Sequence, residues 1–277
     1  MLLCSVRGCN LPLAHEQRRW FCPRGHSFDV ARSGYINLLQ PQERRSKRPG
    51  DTVAAVAARR RLHDRGVTKP LLDAIAGVIA ATPDDIVLDA GCGDGFFLGT
   101  LARQIGFDAH GVDISIPAVD AAARRYPPGE CRCEWIVANA DRFLPYASGS
   151  FSIVLSITAR MNTAEFRRVL RNDGRLLVAL PAPDDLIELR GRTGGGTGRD
   201  RLGPDRVGRT VAAFAKDFTL VDRRRAATTA DLDAAGVHDV LLSIYRPMRA
   251  QRAEAMRVTL SLDLLLFHAA RPQSLIR

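Results

Sequence analysis

Residues 87–95 read Val-Leu-Asp-Ala-Gly-Cys-Gly-Asp-Gly, an apolar run that ends in an acid and continues into three glycines at alternate positions. The run, from residue 86, predicts a buried parallel strand, and the glycines predict a sharp turn whose backbone can approach a ligand closely. Residues 96–105 predict the helix that follows. A strand, a glycine turn and a helix in this order are typical of a nucleotide-cofactor loop.

The glycine spacing narrows the choice of cofactor. The loop is G-x-G-x-G, whereas the dinucleotide fingerprint needs G-x-G-x-x-G so that a pyrophosphate can lie over the helix N-terminus. Two acids, Asp89 and Asp94, flank the turn. They would repel a pyrophosphate and would suit a cationic cofactor with an ammonium group. S-adenosylmethionine has that charge and carries no phosphate.

A third acid supports this interpretation. Residues 109–113 predict the next strand, and Asp113 lies at its tip, where a carboxylate can accept hydrogen bonds from both ribose hydroxyls. For the loop alone, an ordinary glycine-rich turn with two solvated acids is the alternative. The added acid favours the cofactor, and the combination resembles the class I S-adenosylmethionine-dependent methyltransferases over about residues 70–180. We expect Asn139 and the two residues after it to lie beside the adenine.

A second signal lies near the N-terminus, where two close pairs of soft ligands follow one another. The spacing is Cys-x4-Cys, twelve intervening residues, and Cys-x3-His. Each pair can sit on a tight turn, and two such turns brought together form a closed tetrahedral zinc site of the structural kind. The predicted zinc ligands are Cys4, Cys9, Cys22 and His26.

The alternatives for these cysteines are a disulfide or unpaired core residues. The three residues before Cys4 are too short for a signal peptide, so we expect a reducing cytoplasmic location, which disfavours a disulfide. The remaining cysteines, Cys92, Cys131 and Cys133, are predicted to be small buried residues.

Composition agrees with a globular α/β enzyme. The chain has 277 residues with 46% apolar content, enough for one α/β core and a small appended module. No apolar run reaches the length of a membrane span. The formal net charge of +10 favours a polyanionic partner such as nucleic acid. Three basic runs, at residues 44–48, 59–61 and 223–225, are predicted phosphate contacts, although single runs of this kind are often solvated faces.

The organisation along the chain follows from these signals. We predict a zinc-binding module over residues 1–40, a basic linker and bridging helix over 41–68, and a class I methyltransferase domain over 69–277. Alternating strand and helix patterns through the third segment predict a Rossmann-like parallel sheet covered by helices on both faces. Residues 190–208, rich in Gly and Arg, predict a loop that is either a lid or a plain surface insertion.

Both motifs together resemble the bacterial large-subunit rRNA guanine-N1-methyltransferases of the RlmA type and their macrolide-resistance relatives. The marks are F-D-x-A-x-x-G-Y-x-N-L-L at residues 28–39, P-G-D at 49–51, A-R-R at 58–60, the cofactor loop, and residues 181–189. The resemblance implies methylation of N1 of a guanine in an rRNA hairpin, held in a cleft between module and domain or across a homodimer.

The chain departs from this family at several positions. The first zinc pair is spaced x4 where the family has x2. Asp185 stands where a cofactor-contacting His is expected, and Thr68 corresponds approximately to a tyrosine that lies over the cofactor. Residues 158–162, which include Arg160 and Met161, replace an Ala-Pro near the target base. The predicted cofactor-binding residues are Thr68, Asp89, Gly91, Gly93, Asp94, Gly95, Asp113, Asn139 and Asp185.

Three functions from different classes remain at this point. The first is an rRNA methyltransferase with a housekeeping or self-resistance role. The second is a small-molecule methyltransferase of biosynthesis, which the basic linker and zinc module disfavour because a small substrate needs a closed apolar pocket. The third is a non-catalytic zinc and RNA-binding protein with a relict cofactor fold, which the intact acids and glycines disfavour. No residue stands out as a general base.

Overall fold

The computed structural model describes residues 1–43, 49–127, 129–190, 205–244 and 253–270. Within them an eight-stranded sheet forms the core, and a three-stranded antiparallel sheet lies at the N-terminus. The strands are β1 (Ala14–Glu16), β2 (Arg19–Phe21), β3 (Ser27–Asp29), β4 (Ile36–Asn37), β5 (Ile86–Ala90), β6 (Asp108–Asp113), β7 (Cys133–Val137), β8 (Phe151–Ile157), β9 (Leu170–Pro181), β10 (Phe218–Leu232) and β11 (Met256–Ala269).

Helices cover both faces of the large sheet, as the alternating pattern predicted. They are α1 (Val53–Asp64), α2 (Lys69–Ile79), α3 (Phe96–Ile105), α4 (Ile116–Arg125), α5 (Thr163–Val169), α6 (Ile187–Arg190), α7 (Arg206–Phe214) and α8 (Ala234–Ser243), with a 3-10 turn at Pro41–Glu43. Within the described ranges no helix is both long and apolar enough to cross a membrane.

The large sheet has the order β10-β11-β9-β8-β5-β6-β7-β4, and β11 alone runs antiparallel to its two neighbours. The parallel strands at the centre are buried on both faces, which explains why they are continuous apolar runs. Their carboxyl ends meet at one edge of the sheet, the edge where open α/β folds bind ligands.

The predicted helix over residues 96–105 is confirmed, and glycines bound it at both ends. Gly95 and Gly106 have φ angles of 72° and 94°, a region that side chains other than glycine rarely adopt. Thr52 caps α1, since its hydroxyl accepts the Ala55 N–H at 3.2 Å.

The last two strands are longer than the sequence predicts. The alternating or apolar residues at 218–225 and 258–267 predict two shorter closing strands, but β10 and β11 pair over their whole length, from Phe218 opposite Ala269 to Leu232 opposite Met256. The extension of β10 over residues 226–232 consists mostly of Ala and Thr, so its ladder with β11 rather than a strong apolar pattern of its own defines its length.

The zinc module is continuous with the large sheet. Ile36 of β4 pairs with Ile136 of β7. The end of the predicted module therefore forms the edge strand of the large sheet next to β7. The Leu3 N–H also donates to the Pro145 carbonyl at 2.9 Å, and Leu2 forms a bridge with Tyr146. The module is therefore fixed to the β7 edge of the sheet.

One cysteine prediction is wrong. Cys131 and Cys133 form a disulfide, and Cys131 is only half-buried, whereas we expected unpaired buried residues. Cys133 begins β7, and the bend at Arg132 brings the Cα atoms of Cys131 and Cys133 to 5.3 Å, a distance that a disulfide can span. Cys92 is buried and free, as predicted.

Two other predictions fall largely on segments outside the described residues. The basic run at residues 44–48 lies entirely outside them, and so does most of the loop predicted at 190–208. The end of that predicted loop is helical, because α7 begins at Arg206 and is capped by Asp205, whose carboxylate accepts the Gly208 N–H at 2.8 Å.

Candidate active site

The glycine loop lies at the carboxyl end of β5 and is held against β6. The Gly91 and Cys92 N–H groups donate to the Val112 carbonyl at 2.7 and 3.1 Å. All three glycines have positive φ angles. A Cβ at Gly91 would collide with Ala159, and one at Gly95 would collide with Trp135. Two of the three glycines are thus required by protein packing as well as by the turn, which the sequence did not indicate.

The Asp113 carboxylate connects the glycine loop to the start of α4. Its Oδ2 accepts the Gly93 N–H at 3.0 Å and its Oδ1 accepts the Ser115 N–H at 2.8 Å. Ser115 in turn caps α4. The predicted ribose acid and the predicted glycine loop are therefore in direct contact.

Asp89 is a buried carboxyl group whose hydrogen bonding is incomplete. Its side chain lies almost entirely out of water, with 2% of the residue exposed, and its Oδ1 has no hydrogen-bond partner among the described residues. Burial, together with the nearby Asp113 carboxylate, raises the pKa of Asp89 to about 8. Burial likewise raises the pKa of Asp113. An ammonium group bound here would relieve both penalties, so the site fits the amino-acid end of S-adenosylmethionine.

The pKa of Asp94 shifts in the opposite direction from that of Asp89. Burial disfavours its charge, but His63, Arg59 and Arg125 surround it and lower its pKa. His63 Nε2 lies 3.7 Å from Asp94 Oδ1, and His63 Nδ1 lies 2.6 Å from the Thr68 hydroxyl. The structure therefore connects Thr68 to the loop through His63. Sequence reasoning missed His63, whose one visible signal was a histidine on a helix that precedes the cofactor strand.

Asn139 lies beside Asp113 at the end of β7, because the preceding Ala138 N–H donates to the Asp113 carbonyl at 3.0 Å. Its own Oδ1 accepts the Asp141 N–H at 3.1 Å. Asp185 is buried after β9, and its Oδ1 accepts the Ser261 N–H at 3.1 Å. Cofactor contacts for Asn139 and Asp185 stay predictions.

The segment after β8 lies against the same loop. Thr158 has a φ of 53°, an uncommon conformation for a β-branched residue, and Ala159 packs on Gly91. Arg160 pairs with Asp141 at 3.2 Å. An open cavity of about 540 Å³ is lined by Asp141, Arg160, Met161, Asn162 and Thr163. The segment that departs from the Ala-Pro pattern therefore forms one wall of a recess next to the cofactor loop.

The four predicted zinc ligands come together, and all their ligand atoms lie within 4.8 Å of one another. The Cys9 and Cys22 sulphurs are 3.7 Å apart, and His26 Nδ1 lies 3.4 Å from the sulphurs of Cys4 and Cys22. A tetrahedron with ordinary Zn–S and Zn–N bonds has edges of about 3.7 Å and about 3.5 Å. The longer x4 spacing of the first pair thus leaves the site geometry intact.

Two of the predicted phosphate-binding runs also form ion pairs within the chain. The arginines at 59–61 and 223–225 pair with acids, and most of them stay about half exposed. The pairs are Arg59–Asp51, Arg60–Asp64, Arg61–Asp239, Arg223–Asp263, Arg224–Asp222, Arg225–Asp263 and Arg225–Asp184. Exposed ion pairs of this kind are weak, so phosphate binding by these runs stays a prediction.

Comparisons with known proteins agree with both modules. Residues 3–47 match the family model described as RlmA, N-terminal, a zinc ribbon, and residues 87–178 match the methyltransferase domain model. A 23S rRNA (guanine(748)-N(1))-methyltransferase of Streptomyces fradiae is 38% identical over 84% of this chain and 80% of its own. A candidate 23S rRNA guanine-N1-methyltransferase of Micromonospora griseorubida is 36% identical over 70% of each chain.

Some further relatives align over a smaller part of the chain. A malonyl-[acyl-carrier protein] O-methyltransferase of Laribacter hongkongensis is 39% identical over only 38% of this chain and 40% of its own. Among solved structures, a chain described by the conversion of a disulfide bond into a thioacetal group during echinomycin biosynthesis superposes with a TM-score of 0.52 at 15% identity, covering 73% of this chain and 82% of its own. That likeness shows the fold alone.

The chain therefore belongs to the RlmA-type family of 23S rRNA guanine-N1-methyltransferases. It is an S-adenosylmethionine-dependent enzyme of that family, with a class I Rossmann-like domain and an N-terminal zinc ribbon.

The zinc cluster generates the first prediction. Purified protein contains about one zinc per chain, and His26→Ala lowers that content to less than about half an equivalent because three ligands leave the site open. The control is His15→Ala, an exposed histidine of the same module that is not a ligand. Elemental analysis measures the metal. Equal zinc in His26→Ala and wild type would contradict the ligand set.

The second prediction concerns Asp113. Asp113→Ala removes the predicted acceptor of the ribose hydroxyls, and we expect it to weaken S-adenosylmethionine binding by about 2 to 3 kcal/mol, measured by calorimetry. The matched control is Asp108→Ala at the opposite end of β6, where the carboxylate pairs with the exposed Arg132. Unchanged affinity in Asp113→Ala would refute the assignment.

The third prediction follows from the raised pKa of Asp89. Below about pH 8 this carboxyl is mostly protonated, so binding an ammonium group must release its proton. S-adenosylmethionine affinity therefore increases with pH from about 6 to about 7.5, by up to about tenfold per unit. Affinity for 5′-methylthioadenosine, which lacks the ammonium group, stays flat. A flat profile for S-adenosylmethionine as well would show that Asp89 does not face the ammonium.

Proposed function

We propose that the protein methylates N1 of a guanine in a hairpin of large-subunit rRNA, in the cytoplasm. The observation that carries the proposal is the extent of the match. The rRNA guanine-N1-methyltransferase of S. fradiae aligns over 84% of the chain, whereas the acyl-carrier-protein enzyme aligns over 38%. A zinc ribbon of the RlmA kind is present as well. A small-molecule methyltransferase needs no such module.

The chemistry of the target explains what the site has to do. Guanine N1 is a neutral N–H on the Watson–Crick edge, so the base must leave the stack and lose this proton before its lone pair forms the new N–C bond. The cofactor, when bound, supplies a methyl group on a positively charged sulphur, which keeps the electron pair of the broken C–S bond. The protein's main contribution is to hold the two reactants in line in a dry recess.

The recess after β8 is the place that we assign to the flipped base. It adjoins the glycine loop through Ala159 and Gly91, and Arg160 and Met161 line it. The Arg160 side chain carries N–H donors that suit the O6 and N7 acceptors of a guanine, and the partly exposed Met161 offers an apolar contact. These two residues replace the family's Ala-Pro, so they are candidates for choosing which guanine is methylated.

The zinc module and the run at residues 44–48 are the proposed RNA grip. Support comes from the placement of the linker: the Glu43 side chain pairs with Arg142, and the Asn139 amide donates to the Glu43 carbonyl at 3.5 Å. Glu43, the residue that precedes this basic run, therefore lies close to the predicted adenine end of the site. We propose that the hairpin lies between module and domain, in one chain or across a homodimer, in a housekeeping or self-resistance role.

Reverse transcription tests this function, because a methyl on N1 blocks base pairing and stops the polymerase. Large-subunit rRNA from cells that express the protein shows one additional stop at a guanine, and rRNA from cells without the gene lacks it. Cells with Asp113→Ala lose most of the stop, whereas cells with the Asp108→Ala control keep it.

If no stop depends on the gene, and purified protein methylates neither rRNA nor its fragments, the rRNA proposal fails. A small-molecule methyltransferase of biosynthesis then becomes the favoured function.

A further inference from the structure

Helix α1 lies outside both matched family segments, yet it reaches the cofactor loop. The zinc-ribbon match ends at residue 47 and the methyltransferase match begins at residue 87, whereas α1 covers Val53–Asp64. The Arg59 Nη1 atom lies 3.2 Å from the position that a Cβ on Gly93 would occupy. Arg59, which belongs to the predicted linker, therefore places its guanidinium against Gly93, the middle glycine of the loop.

Arg59 is fixed by two hydrogen bonds, and some of its N–H groups have no partner among the described residues. Its Nη1 donates to Asp51 Oδ2 at 2.6 Å and its Nη2 donates to the Ser243 carbonyl at 3.1 Å, while 25% of its side chain is exposed. A guanidinium has five N–H groups, so three have no hydrogen-bond partner in the described part of the chain. The side chain is thus positioned beside the loop with donors to spare.

The surroundings of Arg59 are strongly acidic. Asp51 pairs with it, and Asp94 and Asp113 are close enough to act on its charge. Burial opposes that charge, but the three carboxylates together raise the pKa of Arg59, which keeps the guanidinium cationic. Arg59 thus stays cationic among the acids of the site.

S-adenosylmethionine brings both signs of charge to this place. Its ammonium and ribose hydroxyls match Asp89 and Asp113, but its carboxylate needs a donor or a cation. Two other basic side chains lie near the loop: His63 stacks on Phe96 at 3.8 Å between ring centroids and contacts Thr68, and Arg125 pairs with Asp64 at 2.7 Å. Arg59 is the one of the three that lies against Gly93.

We propose that Arg59 binds the carboxylate of the cofactor's amino-acid end. Planar guanidinium and carboxylate groups form paired N–H···O bonds, which a lysine in the same place does not reproduce. The inference rests on S-adenosylmethionine being the cofactor. It makes α1 a part of the cofactor site rather than a connector alone.

A purely structural role for Arg59 is the competing interpretation. The Ser115 hydroxyl donates to the Asp51 carbonyl at 2.9 Å, and a Cβ on Gly50 would collide with Ser115. Arg59 therefore also fixes residues 50 and 51 against the start of α4. A ligand that keeps the adenosine but lacks the carboxylate separates the two roles.

The experiment compares three ligands on Arg59→Gln and Arg59→Lys by calorimetry. S-adenosylmethionine and S-adenosylhomocysteine carry the carboxylate, and 5′-methylthioadenosine does not. We expect Arg59→Gln to weaken the first two by about 10- to 100-fold and the third by less than about threefold. Arg59→Lys keeps the charge and gives an intermediate loss. The matched control is Arg60→Gln, one residue along, whose side chain is half exposed and pairs with Asp64 at 3.8 Å.

The three ligands also make the outcomes distinguishable. An equal loss for all three ligands, or no loss for any, overturns the carboxylate assignment and leaves the proposed function in place. Binding of 5′-methylthioadenosine reports that the variant is folded, and Arg59→Lys serves if Arg59→Gln is not. If the wild type binds none of the three, the cofactor itself is wrong, and this inference falls together with the proposed function.

Discussion

The cofactor end of this protein depends on the cost of placing three carboxylates around one short loop. Asp89 and Asp94 are 2% and 4% exposed, and Asp113 hydrogen-bonds the loop between them. Charges removed from water and set close together disfavour one another. The structure relieves the cost in two ways: the pKa of Asp89 is raised to about 8, and His63, Arg59 and Arg125 lie around Asp94 and lower its pKa. A cationic ligand relieves what remains.

The same constraint explains why residues far from the loop in sequence are fixed around it. His63 and Arg59 of α1 offset the charge of Asp94, and Thr68 is connected to it through His63. Asp51 forms an ion pair with Arg59 at 2.6 Å, which holds it on the same side of the site. On the other side of the site, the zinc module is attached by β4 and by the Leu3 hydrogen bond to Pro145, so a segment of about 40 residues is held by a metal cluster and by the sheet together.

The features that local sequence determines were predictable. The strand, glycine loop and helix at residues 86–105 need only their own side chains, and the four zinc ligands are set by spacing on two turns. The contact of Asp113 with the loop follows from parallel strands that end at one edge. The role of Arg59 was not predictable, because a run of three arginines resembles a solvated face and its acidic partners come from the linker and the loop. The full length of β10 likewise depends on its tertiary pairing with β11.

The central claim is that rRNA, and not a small metabolite, receives the methyl group. The most direct measurement is incubation of purified protein and S-adenosylmethionine labelled in its methyl group with ribosomes, naked rRNA and a total small-metabolite fraction in parallel. Our account predicts that label enters large-subunit rRNA, free or within ribosomes, and that digestion to nucleosides returns it as 1-methylguanosine. Label found only in the metabolite fraction, with none in either form of rRNA, would contradict the account.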